Sequence, residues 1–474
     1  MNVVVEVARG LLVGINVVVL GYFVLANTFQ TALMASAAVE LRGQTRHLWG
    51  ERREALLGSA AAPAITIVAP AYNEAATITE SVRSLLTLRY PRLQVVVVND
   101  GSPDATLAAL QDRFDLVAVP TVFRRVVPSA PVRGLYRSRS TANLVVVDKE
   151  NGGKADALNA GLNVASGDLV CAIDADTVIE PDALLRVVRP FLGRDDVVAT
   201  GGTIRVANGS VIRSGRVVLP RAPRRFLPGV QTVEYLRAFL FGRLGWNRMG
   251  GNLIVSGAFG LFSRKALMAA DGYLEETVGE DMELVVRLRR RGIETGGPSA
   301  VVFVPDPVAW TEAPESFRVL GRQRDRWHRG LADVITRHRR LAGNPRYGAL
   351  GTIAFPYFVV VELLGPVIEA VGLVGVLLAL ALGAVDWSFA GLFLLVSYGW
   401  GVPLSLAAVL LDELAYQRYT GWRDRALLVL WAILENLGYR QCTVYWRARG
   451  LVRYLRGSRE WGTMTRKGFG ADAT

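Results

Sequence analysis

The sequence predicts an α/β domain with a mostly parallel sheet, joined to an α-helical transmembrane region, and three observations predict it. Between Pro63 and about Pro307, β-rich runs alternate with helical stretches, the pattern of a sheet covered on both faces. On either side lie apolar runs longer than the ~20 residues a spanning helix needs. Finally, the 474 residues are 51% hydrophobic yet carry 54 Lys+Arg and a formal net charge of +12. Those figures reconcile if apolar and basic residues are segregated into membrane spans and cytoplasmic surfaces.

The charge asks for acidic partners such as phosphates or anionic membrane lipids, and nucleic acid is not among the expected partners. With Cys171 and Cys442 as the only cysteines, a disulfide framework and a Cys-rich metal site are both excluded. Histidines at 47, 328 and 338 form no zinc motif.

In chain order, Val3 to Val39 is almost uncharged after Arg9 and reads as an uncleaved signal-anchor. Arg42, Arg46, Arg52 and Arg53 follow it and place the next domain in the cytoplasm. The expected strands are Ile65 to Ala69, Gln94 to Val98, Asn143 to Val147, Leu169 to Ile173, Val197 to Ile204 and Val301 to Val304, with helices at Ile78 to Leu88 and Ala155 to Val164. No G-x-G-x-x-G follows the first strand, which argues against a dinucleotide-binding enzyme.

The residues that carry chemistry gather at expected strand ends. Asp174 and Asp176 close the Leu169 to Ile173 run; two carboxylates at i and i+2 on an extended segment share one side and can share a divalent cation with phosphate oxygens. Read alone, such a pair is an Asp-rich turn before a helix near Pro181. Pro70-Ala71-Tyr72-Asn73-Glu74 and Asn99-Asp100-Gly101-Ser102 close the first two strands on the same edge, where a tyrosine can lie against a nucleobase and a carboxylate can accept a base N–H. Lys154, after Gly152-Gly153, opens a helix where a cation and backbone amides can approach phosphate. Gly279-Glu280-Asp281 precedes an amphipathic helical run, so a carboxylate there can cap the helix, serve as a general base, or both. Gln323, Arg326 and Trp327 fall on one side of a polar helix at i, i+3 and i+4 and suit a sugar and a diphosphate.

The ordered set PAYNE, NDGS, GGKADALN, DAD, SGAFG, GED and QRDRW resembles the processive family 2 glycosyltransferases of the inner membrane, the group of cellulose, chitin, hyaluronan and poly-N-acetylglucosamine synthases. The resemblance covers about Ile65 to Gly330. It implies a nucleotide-sugar-binding, GT-A-type domain and an inverting, metal-dependent transfer of sugar from a UDP-sugar to a growing β-linked polysaccharide, with Mg²⁺ or Mn²⁺ as cofactor. It also implies a multi-pass inner-membrane protein whose spans guide the product outward, with any secretion component a separate protein. The alternative is a non-processive transferase acting on a membrane lipid; a catalytically dead sensor is disfavoured because Asp174, Asp176 and Asp281 are all present. By the same resemblance Tyr72, Glu74, Asp100, Lys154 and Asp174 would bind the nucleotide, Asp176 the metal, and Asp281 would be the base. Ser256, Gly257, Ala258, Phe259, Glu280, Gln323, Arg326 and Trp327 would meet acceptor and pyrophosphate, as would Trp461 and Arg466 of a tail similar to the gating loop of hyaluronan and chitin synthases. Gly279 stands where the family commonly has Thr, and Pro120 to Glu150, rich in Arg and Pro, reads as an insertion without a role.

Past this domain, Tyr357 to Leu382 and Phe389 to Leu411 are long enough to span, whereas Ala426 to Leu434 is short and reads as re-entrant or interfacial. The expected division is thus an N-terminal span at 1–40, a cytoplasmic transferase domain at 60–335, membrane and interfacial helices at 350–446, and a basic cytoplasmic tail at 447–474. Glu362 and Glu369 lie two helical turns apart in an apolar stretch. They are expected to face protein, pairing with arginines such as Arg440 or lining a wet path, with Pro366 kinking the helix; alternatively, Glu362 is solvated at the interface.

Overall fold

The computed structural model describes residues 2–47, 62–174, 177–213, 215–381, 383 and 387–458. The chain forms two units. Of the described residues, one comprises those within Gly43–Arg221 and Asn252–Ala313, and the other those up to Arg42, Ala222–Gly251 and those from Pro314 onward.

The first unit is built on a ten-stranded sheet. Its strands are β1 (Ile65–Ala71), β2 (Leu93–Asp100), β3 (Leu116–Val119), β4 (Val132–Ser138), β5 (Leu144–Lys149), β6 (Leu169–Ile173), β7 (Val178–Ile179), β8 (Val197–Val206), β9 (Val211–Arg213), β10 (Arg216–Leu219), β11 (Phe259–Ser263) and β12 (Ala300–Thr311). The helices that bear on the site are α1 (Ile78–Leu86), α2 (Thr106–Phe114), α3 (Lys154–Val164) and α4 (Glu280–Thr295). The sheet order is β3-β4-β5-β2-β1-β6-β11-β8-β12-β7, and β9 pairs with β10 alone.

All six strands expected from the sequence are present, and β5-β2-β1-β6 form the parallel centre. Its residues explain the choice. Val95, Val96, Val97 and Val98 of β2 are all fully buried, as a strand covered on both faces requires. The sheet as a whole is mixed, because β11 runs antiparallel between β6 and β8, while β3 and β4 add antiparallel pairings beyond β5 and β7 does so beside β12. Helix α3 lies close on the centre: a Cβ at Gly161 would stand 2.3 Å from Val68 Cγ1.

The Arg- and Pro-rich stretch 120–150 is part of this sheet and contributes β4 and β5. It is tied to α3 by side chains. Asn163 Oδ1 accepts from the N–H groups of Val126 (3.0 Å) and Val127 (2.9 Å), and its amide donates to Val127 O (2.8 Å). Asp156 Oδ2 accepts from Ala130 N at 2.6 Å.

The second unit is helical. Three helices among the described residues are long and apolar enough to cross a membrane: Leu12–Gly43, Leu350–Ala381 and Ala390–Tyr416. They cover the three runs expected to span. Segments Ala222–Gly251 and the helix Phe317–Arg337, counted above with the cytoplasmic domain, fold with this unit. Trp422–Leu434 and Arg440–Leu455 are separate helices, divided by a non-helical break at Leu437 and Gly438.

The two acids of the apolar stretch are paired. Arg440 Nε donates to Glu369 Oε2 at 3.2 Å, and Arg447 Nη2 to Glu362 Oε2 at 3.1 Å. Arg440 also donates to Ser397 O at 3.1 Å. An ion pair of this kind removes the cost of a bare charge in an apolar surround. Just before Pro366 the helix loses its regular register, and Leu364 N bonds to Val359 O, five residues back.

A double-mutant cycle tests the first pair. Glu369→Leu alone strands Arg440 and should cost about 2 kcal/mol, between the values for exposed and buried pairs, whereas Glu369→Leu with Arg440→Leu should recover most of that loss. Thermal unfolding in detergent measures both; equal losses in the single and double variants would contradict the pairing.

Candidate active site

The expected site residues of the sheet unit meet at one edge because four chain segments end or begin there. β6 ends at Ile173, so Asp174 emerges at its carboxyl end. Phe259 pairs with Ile173 across the antiparallel ladder, which brings Ser256-Gly257-Ala258 to the same edge. Helix α3 begins with Lys154 and α4 with Glu280 and Asp281.

Lys154 is the hub. Its Nζ lies 2.6 Å from Asp174 Oδ1 and 3.6 Å from Glu280 Oε1. Burial on its own lowers the lysine's pKa, but Asp174, Glu280 and Asp281 more than offset this and raise it, so the ammonium form is held. For Glu280, 6% exposed, burial raises the pKa and the Asp281 charge adds to it, while Lys154 opposes both. Asp281 Oδ2 accepts from Gly257 N (3.1 Å) and Oδ1 from Met282 N (2.8 Å), an acid in the first turn of its helix, where the macrodipole favours it. A Cβ at Gly257 would crowd the site, meeting Lys154 Nζ at 3.2 Å and Asp281 Oδ2 at 3.3 Å.

The first two strand ends are adjacent as well: Asn73 N donates to Ser102 Oγ at 3.1 Å. Tyr72 is half exposed there, and Glu74 accepts from Thr77 Oγ1 at 2.6 Å. Asp100, in contrast, is 3% exposed and fully engaged. It accepts from Lys149 Nζ (2.5 Å), Gly152 N (3.0 Å) and Gly153 N (2.8 Å), so it fixes the turn that leads into Lys154. Phe259 also departs from the expectation that it faces an acceptor. As the first residue of β11 it is fully buried in the core, and only Ser256, Gly257 and Ala258 of that motif stay partly accessible.

Gln323, Arg326 and Trp327 lie on the helix Phe317–Arg337 of the helical unit. Trp327 is 43% exposed, and Arg324 caps its ring at 4.4 Å while donating to Glu234 Oε2 at 2.7 Å. Asp176, Trp461 and Arg466 fall outside the described residues.

As to a metal, Asp174 offers only oxygen donors, the chemistry that suits Mg²⁺ or Mn²⁺. Among the described residues no group of three or more His, Cys, Asp or Glu is arranged to hold one. The oxygen donor type fits a hard divalent ion.

The profile of the family described as "Glycosyltransferase like family 2" matches residues 62–330, more than half of the chain. The chain belongs to this family. The α/β architecture and the motifs set out above lie within that span, and the chain is a glycosyltransferase. It is 27% identical over 274 residues to the poly-beta-1,6-N-acetyl-D-glucosamine synthase of Staphylococcus aureus, covering 58% of this chain and 56% of the relative, and equally similar to that of Staphylococcus epidermidis. The chain thus spans about half the length of the curated relatives it matches. Among solved structures it is similar to a mannosyltransferase from Pyrobaculum calidifontis in complex with GDP-Man and Mn²⁺, with 20% identity, 87% of this chain and 99% of that chain covered, and a TM-score of 0.48. It is also similar to glucosyl-3-phosphoglycerate synthase from Mycobacterium tuberculosis, with 20% identity, 61% and 84% covered, and a TM-score of 0.36.

Two features of this family 2 site escape a reading of the sequence. Tyr273 is 6% exposed and lines the cavity with Lys154, Gly257, Glu280 and Asp281. Burial raises its pKa well above the ordinary value, and Asp281 adds to this, so the phenol stays neutral beside the carboxylates. Lys149 is wholly buried between Asp100 and Asp156. The sequence sign of this turn is the Asp271-Gly272 pair before Tyr273, and both residues take positive φ in the fold.

Lys154→Met should destabilise the sheet unit by about 2 kcal/mol, because three carboxylates then face one another without a cation. Protonation relieves that repulsion, and the raised pKa of Glu280 has the same sign, favouring the fold as pH falls. The gap in melting temperature to wild type should therefore be widest above about pH 7 and narrow through the carboxylate range; a gap independent of pH would contradict the arrangement.

Proposed function

We propose that this chain transfers a sugar from a UDP-sugar to a growing β-linked polysaccharide, with inversion at the anomeric carbon, on the cytoplasmic side of the inner membrane. The observation that carries this reading is the convergence of Lys154, Asp174, Glu280 and Asp281 at the carboxyl edge of the sheet's parallel centre, where open α/β sheets bind ligands. The likeness to poly-N-acetylglucosamine synthases supports the polymeric acceptor, and the three apolar helices support a path outward through the membrane.

In this reading Tyr72 lies against uracil and Lys154 turns from Asp174 to the diphosphate. Asp174 borders the nucleotide, and Asp100 acts from behind by holding the Gly152-Gly153 turn. The acceptor hydroxyl oxygen attacks the anomeric carbon, its proton passes to an Asp281 carboxylate oxygen, and the bond to the diphosphate breaks with the electron pair leaving on UDP. Backbone N–H groups of Gly257 and Met282 hold that carboxylate in place. Asp176, with diphosphate oxygens, would hold Mg²⁺ or Mn²⁺, which when bound neutralises charge on the leaving group. Ser256, Gly257 and Ala258 border the acceptor; the helical unit by itself presents the Trp327 ring face, with the polar side chains of Gln323 and Arg326, as a surface suited to a sugar.

Membranes incubated with a panel of radiolabelled UDP-sugars should yield a polymer that enzymatic digestion and sizing distinguish from glycolipid; label found only in lipid extracts would favour a lipid acceptor. Asp281→Asn should lower transfer ~10²- to 10⁴-fold while UDP affinity stays nearly unchanged, and near-normal turnover would reduce Asp281 to a helix cap. Excess chelator should stop transfer, and full activity in its presence would remove the metal from the account.

A further inference from the structure

The stretch 120–150 that the family motifs leave without a role delivers one side chain to the nucleotide edge. β4 runs antiparallel to β5 with Val132 opposite Lys149 and Gly134 opposite Asp148, while β2 runs parallel with Asn99 opposite Asp148 and Asp100 opposite Lys149. Arg133 therefore arrives level with Asp100, at the carboxyl end of the central strands. Its guanidinium lies against the turn that follows: a Cβ at Gly101 would stand 3.1 Å from Arg133 Nη2.

The head group is anchored at one end and open at the other. Nη2 donates to Lys149 O at 2.5 Å, and Nε lies 3.6 Å from Asp148 Oδ2, whose other oxygen accepts from Asn99. Nη1 has no partner among the described residues, and half of the side chain is exposed. Across this edge Ser102 Oγ receives Asn73 N, beside the exposed Tyr72 ring. A planar donor fork fixed on two sides, at the same strand-end edge that carries the exposed Tyr72, suits a flat ligand that presents a carbonyl oxygen in its own plane.

We propose that Arg133 is a base-selecting residue of the donor site, its free N–H groups donating to a ring carbonyl of the nucleobase. The assignment rests on the nucleotide-sugar reading above. A base with a carbonyl at that position is favoured, and one with an amino group there is disfavoured, because two sets of donors would face each other. With Asp100 saturated by Lys149 and the Gly152-Gly153 turn, this side chain takes over the recognition of the base edge.

The test is calorimetric binding of UDP and of CDP, which differ at C4 (carbonyl against amino group) and in the proton on the adjoining N3, to the full-length detergent-solubilised protein and its Arg133→Met and Arg133→Lys variants. Wild type should prefer UDP; Arg133→Met should weaken UDP by about ten- to a hundredfold and CDP far less, collapsing the ratio, and Arg133→Lys should restore it only in part. Equal weakening of both nucleotides would make Arg133 a phosphate contact and overturn the proposal, as would an unchanged ratio. Wild-type protein that binds no nucleoside diphosphate would overturn the donor reading and this inference with it. The melting temperature of each variant, read alongside, separates a fold defect from a change in selectivity.

Discussion

The ammonium group of Lys154 is the interaction on which the sheet unit's edge depends. Three carboxylates face it from two places in the chain: the end of β6 supplies one and the first turn of α4 supplies two. Without a cation between them these carboxylates would face one another unscreened, and Glu280, whose pKa burial already raises, would lose the charge that opposes that rise. The lysine is in turn set by the Gly152-Gly153 turn, held from below by Asp100, itself neutralised by buried Lys149. Charge balance thus runs in sequence from the core of the sheet to its edge. It also explains how the edge can exchange partners, because a diphosphate offers Lys154 the same kind of oxygen that Asp174 offers now.

The helical unit follows the same rule in apolar surroundings. Arg440 and Arg447, on one helix, each meet an acid of the Leu350–Ala381 run. Asp325, nearly inaccessible, gathers Arg329, Arg449 and Arg453. Burying these groups singly would cost several kcal/mol, so the helices are specified by matched pairs as much as by hydrophobic contact.

Much of this was legible in the sequence because the signals are local. Runs such as Val95 to Val98 can only be buried strands, and the acids and glycines that follow them mark strand ends. The three apolar runs announce themselves by length, and the pairing of Glu369 with Arg440 is one of the two outcomes that the cost of a bare charge left open. What stayed hidden depends on contacts far apart in sequence. β4 carries two arginines, Arg133 and Arg137, and only two buried positions, Leu135 and Ser138, so it reads as a basic loop until β5 lies beside it. Phe259 and its neighbours form one motif in the sequence, but the antiparallel ladder with β6 turns Phe259 into the core and leaves Ser256 to Ala258 outside. Asp100 reads as an available carboxylate, and only the folded chain brings Lys149 and two backbone amides onto it. The segment Ala222–Gly251 has no pattern to tell that it packs with the membrane helices.

The central claim is a single displacement at the anomeric carbon, with Asp281 taking the acceptor's proton. Nuclear magnetic resonance of the linkages formed by the purified protein from a UDP-α-sugar tests it most directly. The account predicts β linkages from the first turnover onward, and a product with α linkages would contradict it.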